Sequence, residues 1–581
     1  MKQLRWAFAL ASLLFGVAVL LFFALAYPHH LHFQEQYQLF LFEKGYVIDV
    51  MSVPGGLADL IGRFLTQFFL FAWVGATIIA VVLVGVQLLT YRLLRTTKSE
   101  PFSYILSFIP AVLGCCFLCD DSALMTAPIA LLLILVISLL IRLVEKEMLR
   151  HLLMLVSIFV IYMMCGAFVI PYAILMVIEE RQKCSSSRLL PLTCVLLLLA
   201  LSVPVIWHRF VHLSLEQFYV GPHYYRLSDE FSWWAWGAMV VVPLIMLLPQ
   251  WIREWRARRP IPVFITLWLV MMVVGVVMVG RVQSQAQENV MAYDFMARNA
   301  QWNRIIQKAQ KQAPKNQVAA VALNLALAQR GLLTEHIFDF PQNGIAGLLP
   351  RFTSDYVSPL VTSEVLYRLG MINSAQRFVF EAQEAIPDFQ KSARCYKRLA
   401  ETNIINGAYD VARKYLISLQ HTLFYRSWAT ATLALIDDDA AVNAHPEYGT
   451  LRRCRSNQNY FFGGNELSQI LARQLESNPE NRMAFDYLMA SCMLEKELDK
   501  LEKYYGVPAQ GKIISNYVQQ ALLLKWSQDY KNAEAVPPFF QPEMVQGLND
   551  FSSALQFSNG NPKLVQKRFA NTYWSYYFFQ K

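Results

Sequence analysis

The sequence predicts an all-α protein in two parts. A polytopic transmembrane helical bundle of about nine spans fills 1–281, and a soluble helical-repeat domain of α-solenoid type fills 282–581. Three observations predict this. Of 581 residues, 55% are hydrophobic and 16% charged, against about 25% charged in an ordinary soluble domain. The charges are unevenly placed: up to Arg281 there are 20 Lys and Arg with 15 Asp and Glu, and after it 31 with 27. Apolar runs near the ~20 residues a bilayer needs recur to Gly280, and amphipathic helices follow them.

The first run lies between Arg5 and Tyr27 and ends Ala24-Leu25-Ala26, a small-residue pattern like a signal-peptidase site. Its apolar core is longer than a signal peptide's, so it reads as an uncleaved anchor. Further runs are Phe64 to Tyr91, Pro101 to Leu118 and Ser122 to Ile141. The charge-free stretch from Arg150 to Glu179 is too long for one comfortable span. It carries Gly166 and Pro171 at its middle and reads as two short helices, with one tilted, kinked helix as the alternative. Leu189–Trp207, Trp233–Ile252 and Ile261–Gly280 complete the count.

Basic residues test this count through the positive-inside rule. With the N-terminus inside, the inner loops hold Lys2, Arg5, Arg92, Arg95, Lys98, Arg142, Lys146, Arg150, Arg181, Lys183, Arg188, Arg253, Arg256, Arg258 and Arg259. The outer loops before the tail hold only Lys44, Arg63, Arg209 and Arg226. That asymmetry needs two crossings between Arg150 and Glu179. The tail is then outside, which in a bacterium places it in the periplasm beside the inner membrane.

The tail from Glu288 reads as helices of 10–17 residues with short loops. Asn316 offers an N-cap and Gly331 a C-cap. Gly370-x-x-x-x-Ala375 and Gly407-x-x-x-x-Ala412 lie 37 residues apart. There the glycine ends one helix and the alanine lets the next pack closely, as in tetratricopeptide-like pairs. The aromatic end Thr572–Phe579 reads as a last element packed on the stack. Neither half has a basic block of the kind that binds nucleic acid, and no cysteine spacing fits a zinc site.

Candidate chemistry concentrates in the outer loops. The long first loop, 28–63, carries Glu35 among Phe33, Tyr37, Leu39 and Phe40, a spacing that suggests an amphipathic helix lying in the membrane interface. Asp120 and Asp121 stand at the mouth of the third and fourth spans. Carboxylates so placed suit a general base, or a divalent cation held against a lipid phosphate. Gln36, Tyr37, His223 and Arg226 are the neighbours expected to bind substrate. The competing reading makes all of these loop charges in headgroup water. His29, His30 and His32 point apart on a helix and suit one shared ion poorly.

Two resemblances follow from these residues. Asn324–Leu333, Leu369-Gly370 with the helix after it, and Asn478–Leu498 resemble an uncharacterised family of large Bacteroidota membrane proteins with a helical periplasmic tail. The layout of the membrane half resembles the GT-C glycosyltransferases, which use polyprenyl-phosphate sugars. It departs from them in lacking a paired acidic motif in loop one. The resemblance implies that Glu35 deprotonates an acceptor hydroxyl, with Asp120 or Asp121 as the second-loop acid. It also implies that membrane lipids and a polyprenyl-phosphate sugar are ligands, with a protein or glycan partner on the tail. The alternative is a non-enzymatic, membrane-anchored scaffold of the cell envelope.

Overall fold

The computed structural model describes residues 2–580 except 95–99, 184–188, 211–213, 222, 227–230, 252–259, 351–356, 387–389, 456–466, 507–514, 531–535, 539 and 558–561. Arg95, Lys98, Arg188, Arg253, Arg256, Arg258 and Arg259, used in the topology count, lie outside the described residues. Within them the chain is helical, with one isolated bridge, Ala123 to Tyr225, and no strand. Two compact units result. The first holds Met1–Glu288 together with Ile386–Arg394 and Ser418–Ser427; the second holds Asn289–Ala385, Cys395–Ile417 and Trp428–Lys581.

In the first unit, α1 (Lys2–Leu21) is followed by α2 (Pro28–Gln34), α3 (Lys44–Met51) and α4 (Gly56–Thr66). Then come α5 (Ala72–Leu94), α6 (Glu100–Leu106), α7 (Phe108–Leu118) and α8 (Thr126–Arg142). The unit continues with α9 (Glu147–Cys165), α10 (Val169–Lys183), α11 (Leu189–Trp207), α12 (Leu215–Val220), α13 (Trp233–Trp251) and α14 (Pro260–Val282). Six helical stretches are long and apolar enough to cross a membrane: 3–26, 72–94, 101–118, 147–183, 190–207 and 261–282. Thr126–Arg142 and Trp233–Leu248 are apolar but shorter. In the stretch Ile261–Val282 only 11% is buried. An apolar helix left that bare is what lipid covers.

The 37-residue stretch from Glu147 to Lys183 is bent back on itself. Arg150, near its start, donates to both oxygens of Glu180, near its end, at 2.6 Å each. In an unbroken helix those residues would stand ~45 Å apart. The reversal sits at Gly166, which packs against Gly55; both adopt a left-handed backbone, φ +71° and +84°, that favours glycine. The paired reading of this stretch therefore holds as an antiparallel hairpin.

Residues 30–40 are buried throughout, so loop one is not the half-exposed interfacial helix its pattern suggests. Two things cover it. Glu288 caps α2 from far along the chain, its oxygens accepting from the backbone N–H of His29 and His30 at 2.8 and 2.9 Å. The segments at 386–394 and 418–427 add backbone bonds, Leu39 N–H to Lys391 O and Phe42 N–H to His421 O. The exposed apolar side chains of the loop are instead Phe42, Ile48 and Met51, the last two on α3.

The second unit stacks helices in pairs. α15 (Gln285–Arg298) leads into α16 (Trp302–Lys311), α17 (Gln317–Gln329), α18 (Leu333–His336), α19 (Val357–Leu369), α20 (Ile372–Glu384), α21 (Ala393–Asn406) and α22 (Tyr409–Gln420). Gly370 and Gly407 adopt φ +85° and +76° after α19 and α21, and Ala375 and Ala412 are fully buried on the helices that follow. The repeated Gly-x-x-x-x-Ala signature thus does what its residue types suggest. Asn316 caps α17 by accepting from Ala319 N–H. The aromatic end forms a helix, Tyr573–Phe579, whose Trp574 indole N–H donates to Gln520 O.

Two stability outcomes follow. Glu180→Gln leaves a buried Arg150 guanidinium without its counter-charge, an expected loss on the order of 3 kcal/mol. Thermal unfolding in detergent should show it, and Arg150→Met with Glu180→Leu should restore most of it. His30 is fully buried, and burial lowers its pKa from 6.5 to about 4, against a raising contribution from its bond to Leu118 O. The unfolded chain then binds more protons between those values, so the stability from neutral His30 is complete above pH 6.5 and is lost as pH falls toward 4. The loss is on the order of 3 kcal/mol. Unfolding midpoints taken from pH 7 to 5 should fall less steeply in His30→Gln than in the wild type.

Candidate functional site

Three loops meet at one end of the bundle: 28–66, 119–126 and 223–226. The second and third are stitched by backbone bonds, Leu124 N–H to Tyr224 O at 3.2 Å and Arg226 N–H to Ser122 O at 2.7 Å. The first joins through Gln34, whose amide donates to Asp120 O and Ala123 O at 3.3 and 3.2 Å. Tyr224 locks the loops to the hairpin, its hydroxyl accepting from Phe168 N–H at 3.0 Å and donating to Cys165 O.

At this junction Asp120 accepts from Ser122 N–H at 2.9 Å and from the Tyr225 hydroxyl at 2.8 Å. Burial raises its pKa, the two donors lower it, and neighbouring Asp121 raises it again, so its carboxyl sits above the ordinary aspartate value. A raised carboxyl is a stronger base than a solvated one. Arg226 donates to the Ser122 hydroxyl at 3.1 Å and lies over the Tyr37 ring at 4.4 Å. Ser122 therefore links the Asp120 carboxylate to a guanidinium, with Asp121 on the same hydroxyl at 3.3 Å.

Beneath them α4 carries a buried ion pair. Asp59 contacts Arg63 at 2.6 Å one helical turn on, and its other oxygen accepts from the Thr126 hydroxyl at 3.1 Å. His223 Nδ1 stands 3.8 Å away. Burial pushes the Asp59 carboxyl up, but Arg63 and His223 outweigh it and hold the group below the usual aspartate range. Asp59 is thus held as an anion, its carboxyl shifted in the opposite direction from that of Asp120. The spacing of Asp59 and Arg63 is visible in the sequence as an i,i+4 pair; that His223 and Thr126 close on it is not.

Of the residues expected at a site, the structure brings together Asp120, Asp121, Tyr37 and Arg226, with His223 against Asp59. Glu35 and Gln36 lie in the same loop but face other partners. Glu35 is 6% exposed and accepts from the Tyr425 hydroxyl at 3.3 Å, while the Gln36 carbonyl accepts from Arg394 at 2.9 Å. Among the described residues no three His, Cys, Asp or Glu side chains converge as a metal ion requires. The cationic group near Asp120 is Arg226, which donates to the Ser122 hydroxyl.

No curated protein and no solved structure matches the chain. One family model does, over residues 2–580, and it spans both compact units. The chain belongs to that family, DUF6057, a family of unknown function.

Proposed function

We propose that the chain is a membrane transferase of the GT-C kind, moving a sugar from a polyprenyl phosphate to an acceptor at the loop end of the bundle. The observation that carries this reading is Asp120: a half-buried carboxyl with a raised pKa, joined through Ser122 to the Arg226 guanidinium. Asp120 takes the proton of the acceptor hydroxyl as the hydroxyl attacks the sugar's anomeric carbon. The carbon–oxygen bond to phosphate breaks, and the lipid phosphate leaves with its electron pair, held by Arg226. Asp120 has this role rather than Glu35, because Glu35 is buried and already accepts from Tyr425.

In this reading the bundle crosses the inner membrane of a bacterium nine times. The hairpin at 147–183 counts as two crossings and the loop end faces the periplasm with the tail. The basic residues at the other end, among them Arg92, Arg142 and Lys183, support that orientation. The paired helices of the tail act as a tetratricopeptide-like surface for a protein or glycan acceptor.

A second reading, a non-enzymatic scaffold, is favoured by one observation. Glu35 and Gln36 are engaged by Tyr425 and Arg394, so loop one clamps segments from the C-terminal half rather than a substrate.

The test is transfer from labelled polyprenyl-phosphate sugars by the full chain in lipid nanodiscs. Asp120→Asn should reduce the rate by about 10²–10⁴-fold, with Arg226→Gln raising the donor KM, while Glu35→Gln retains transfer. Undiminished transfer by Asp120→Asn would remove the proposed base. If the wild type transfers from no donor and cross-links to a single stoichiometric envelope partner, the scaffold reading stands instead.

A further inference from the structure

A cavity of about 550 Å³ lies at the opposite end of the bundle, where α5, α8 and α10 come together. Its volume is in the range of sites that hold small molecules or headgroups. Leu139 and Leu143 supply an apolar wall. Three cations line it, Arg92, Arg142 and Lys183, one from each helix. Arg142 is fixed in place by donating to Leu93 O at 2.7 Å, and Lys183 by donating to Arg142 O.

The same cavity is lined by Glu179, which is 5% exposed. Neither of its carboxylate oxygens has a hydrogen-bond partner. The contrast with its neighbour is sharp, since Glu180 is bound by Arg150 and His151. A buried carboxylate without donors is costly. Three cations around it would draw in an anion, but an anion alone would leave the carboxylate unsatisfied and repelled.

One chemistry answers both demands. We propose that the cavity holds the headgroup of an amino-phospholipid of the phosphoethanolamine class. The phosphate lies among Arg92, Arg142 and Lys183, the ammonium N–H groups donate to Glu179, and the acyl chains leave along the leucine wall. Basic pockets between membrane helices are known settings for phospholipid headgroups. The carboxylate is what selects among them. Phosphatidylglycerol brings no cation, and phosphatidylcholine brings a cation without N–H donors. The inference is independent of the transfer chemistry at the other end of the bundle.

The test is lipid retention. The full chain is reconstituted in equal parts phosphatidylethanolamine, phosphatidylglycerol and phosphatidylcholine, extracted in mild detergent, and its retained lipid counted by native mass spectrometry. The wild type should retain phosphatidylethanolamine over each of the others by at least about tenfold, the low end of the worth of one charge-assisted hydrogen bond. Glu179→Gln should lose that preference. Leu139→Trp, which sets an indole across the apolar wall and leaves every charge in place, should weaken lipid retention. Retention that mirrors the input mixture in the wild type, or an unchanged preference in Glu179→Gln, would overturn the assignment. Glycerophosphoethanolamine supplies the free-headgroup arm: its displacing the lipid at equal concentration would show that the acyl chains do not contribute and overturn the lipid as occupant.

Discussion

A carboxylate with no exposure to solvent has to keep its counter-charge, and the loop end of the bundle is built around that requirement. Asp59 is fully buried, and Arg63 lies within ion-pair distance on the same helix. The pair holds α4 in one rotational setting, because turning the helix would separate neither charge from the other but would take both from Thr126 and His223. Buried pairs of this kind add little net stability against an apolar alternative; their contribution is to register. Here the register is shared. Thr126 opens α8 and His223 belongs to the 223–226 loop, so one ion pair sets where three pieces of chain meet.

Reading this molecule from its sequence succeeds where the signal is local. Apolar run length finds the long helices of the first unit, although α5 begins at Ala72 rather than Phe64 and the run from Pro101 to Leu118 is divided into α6 and α7; Gly370 and Gly407 announce the helix breaks they make. The double nature of 147–183 is legible too, because Gly166 interrupts an overlong apolar stretch. The failure is at loop one. Its aromatic residues around Glu35 read as a surface helix because nothing nearby in sequence could cover them. The covering groups come from Glu288 and from 386–394 and 418–427, and no periodicity reports a partner that far away.

The candidate site divides along the same line. Asp120 and Asp121 stand out in sequence as adjacent acids between two apolar runs, and the structure gives them distinct surroundings. Tyr225 does not stand out, since it is one aromatic among several in its loop, yet its hydroxyl is a principal donor to Asp120. Asp59 is followed by Arg63 at helical spacing. That spacing is why it stays ionised. The two carboxylates thus differ by environment rather than by type, one pinned by a cation and one left with neutral donors and a like charge beside it.

The bonds that bury loop one also impose an order on synthesis. Gln36 and Arg394 are 358 residues apart, and Glu35 and Tyr425 are 390. At ~5–20 residues per second, the ribosome finishes loop one some tens of seconds before it makes these partners. Through that interval the membrane helices can insert, but loop one lacks Arg394, Tyr425, Lys391 and His421, the partners that come from the second half of the chain. The nascent bundle therefore waits, with its first loop open, for the second half of its own chain.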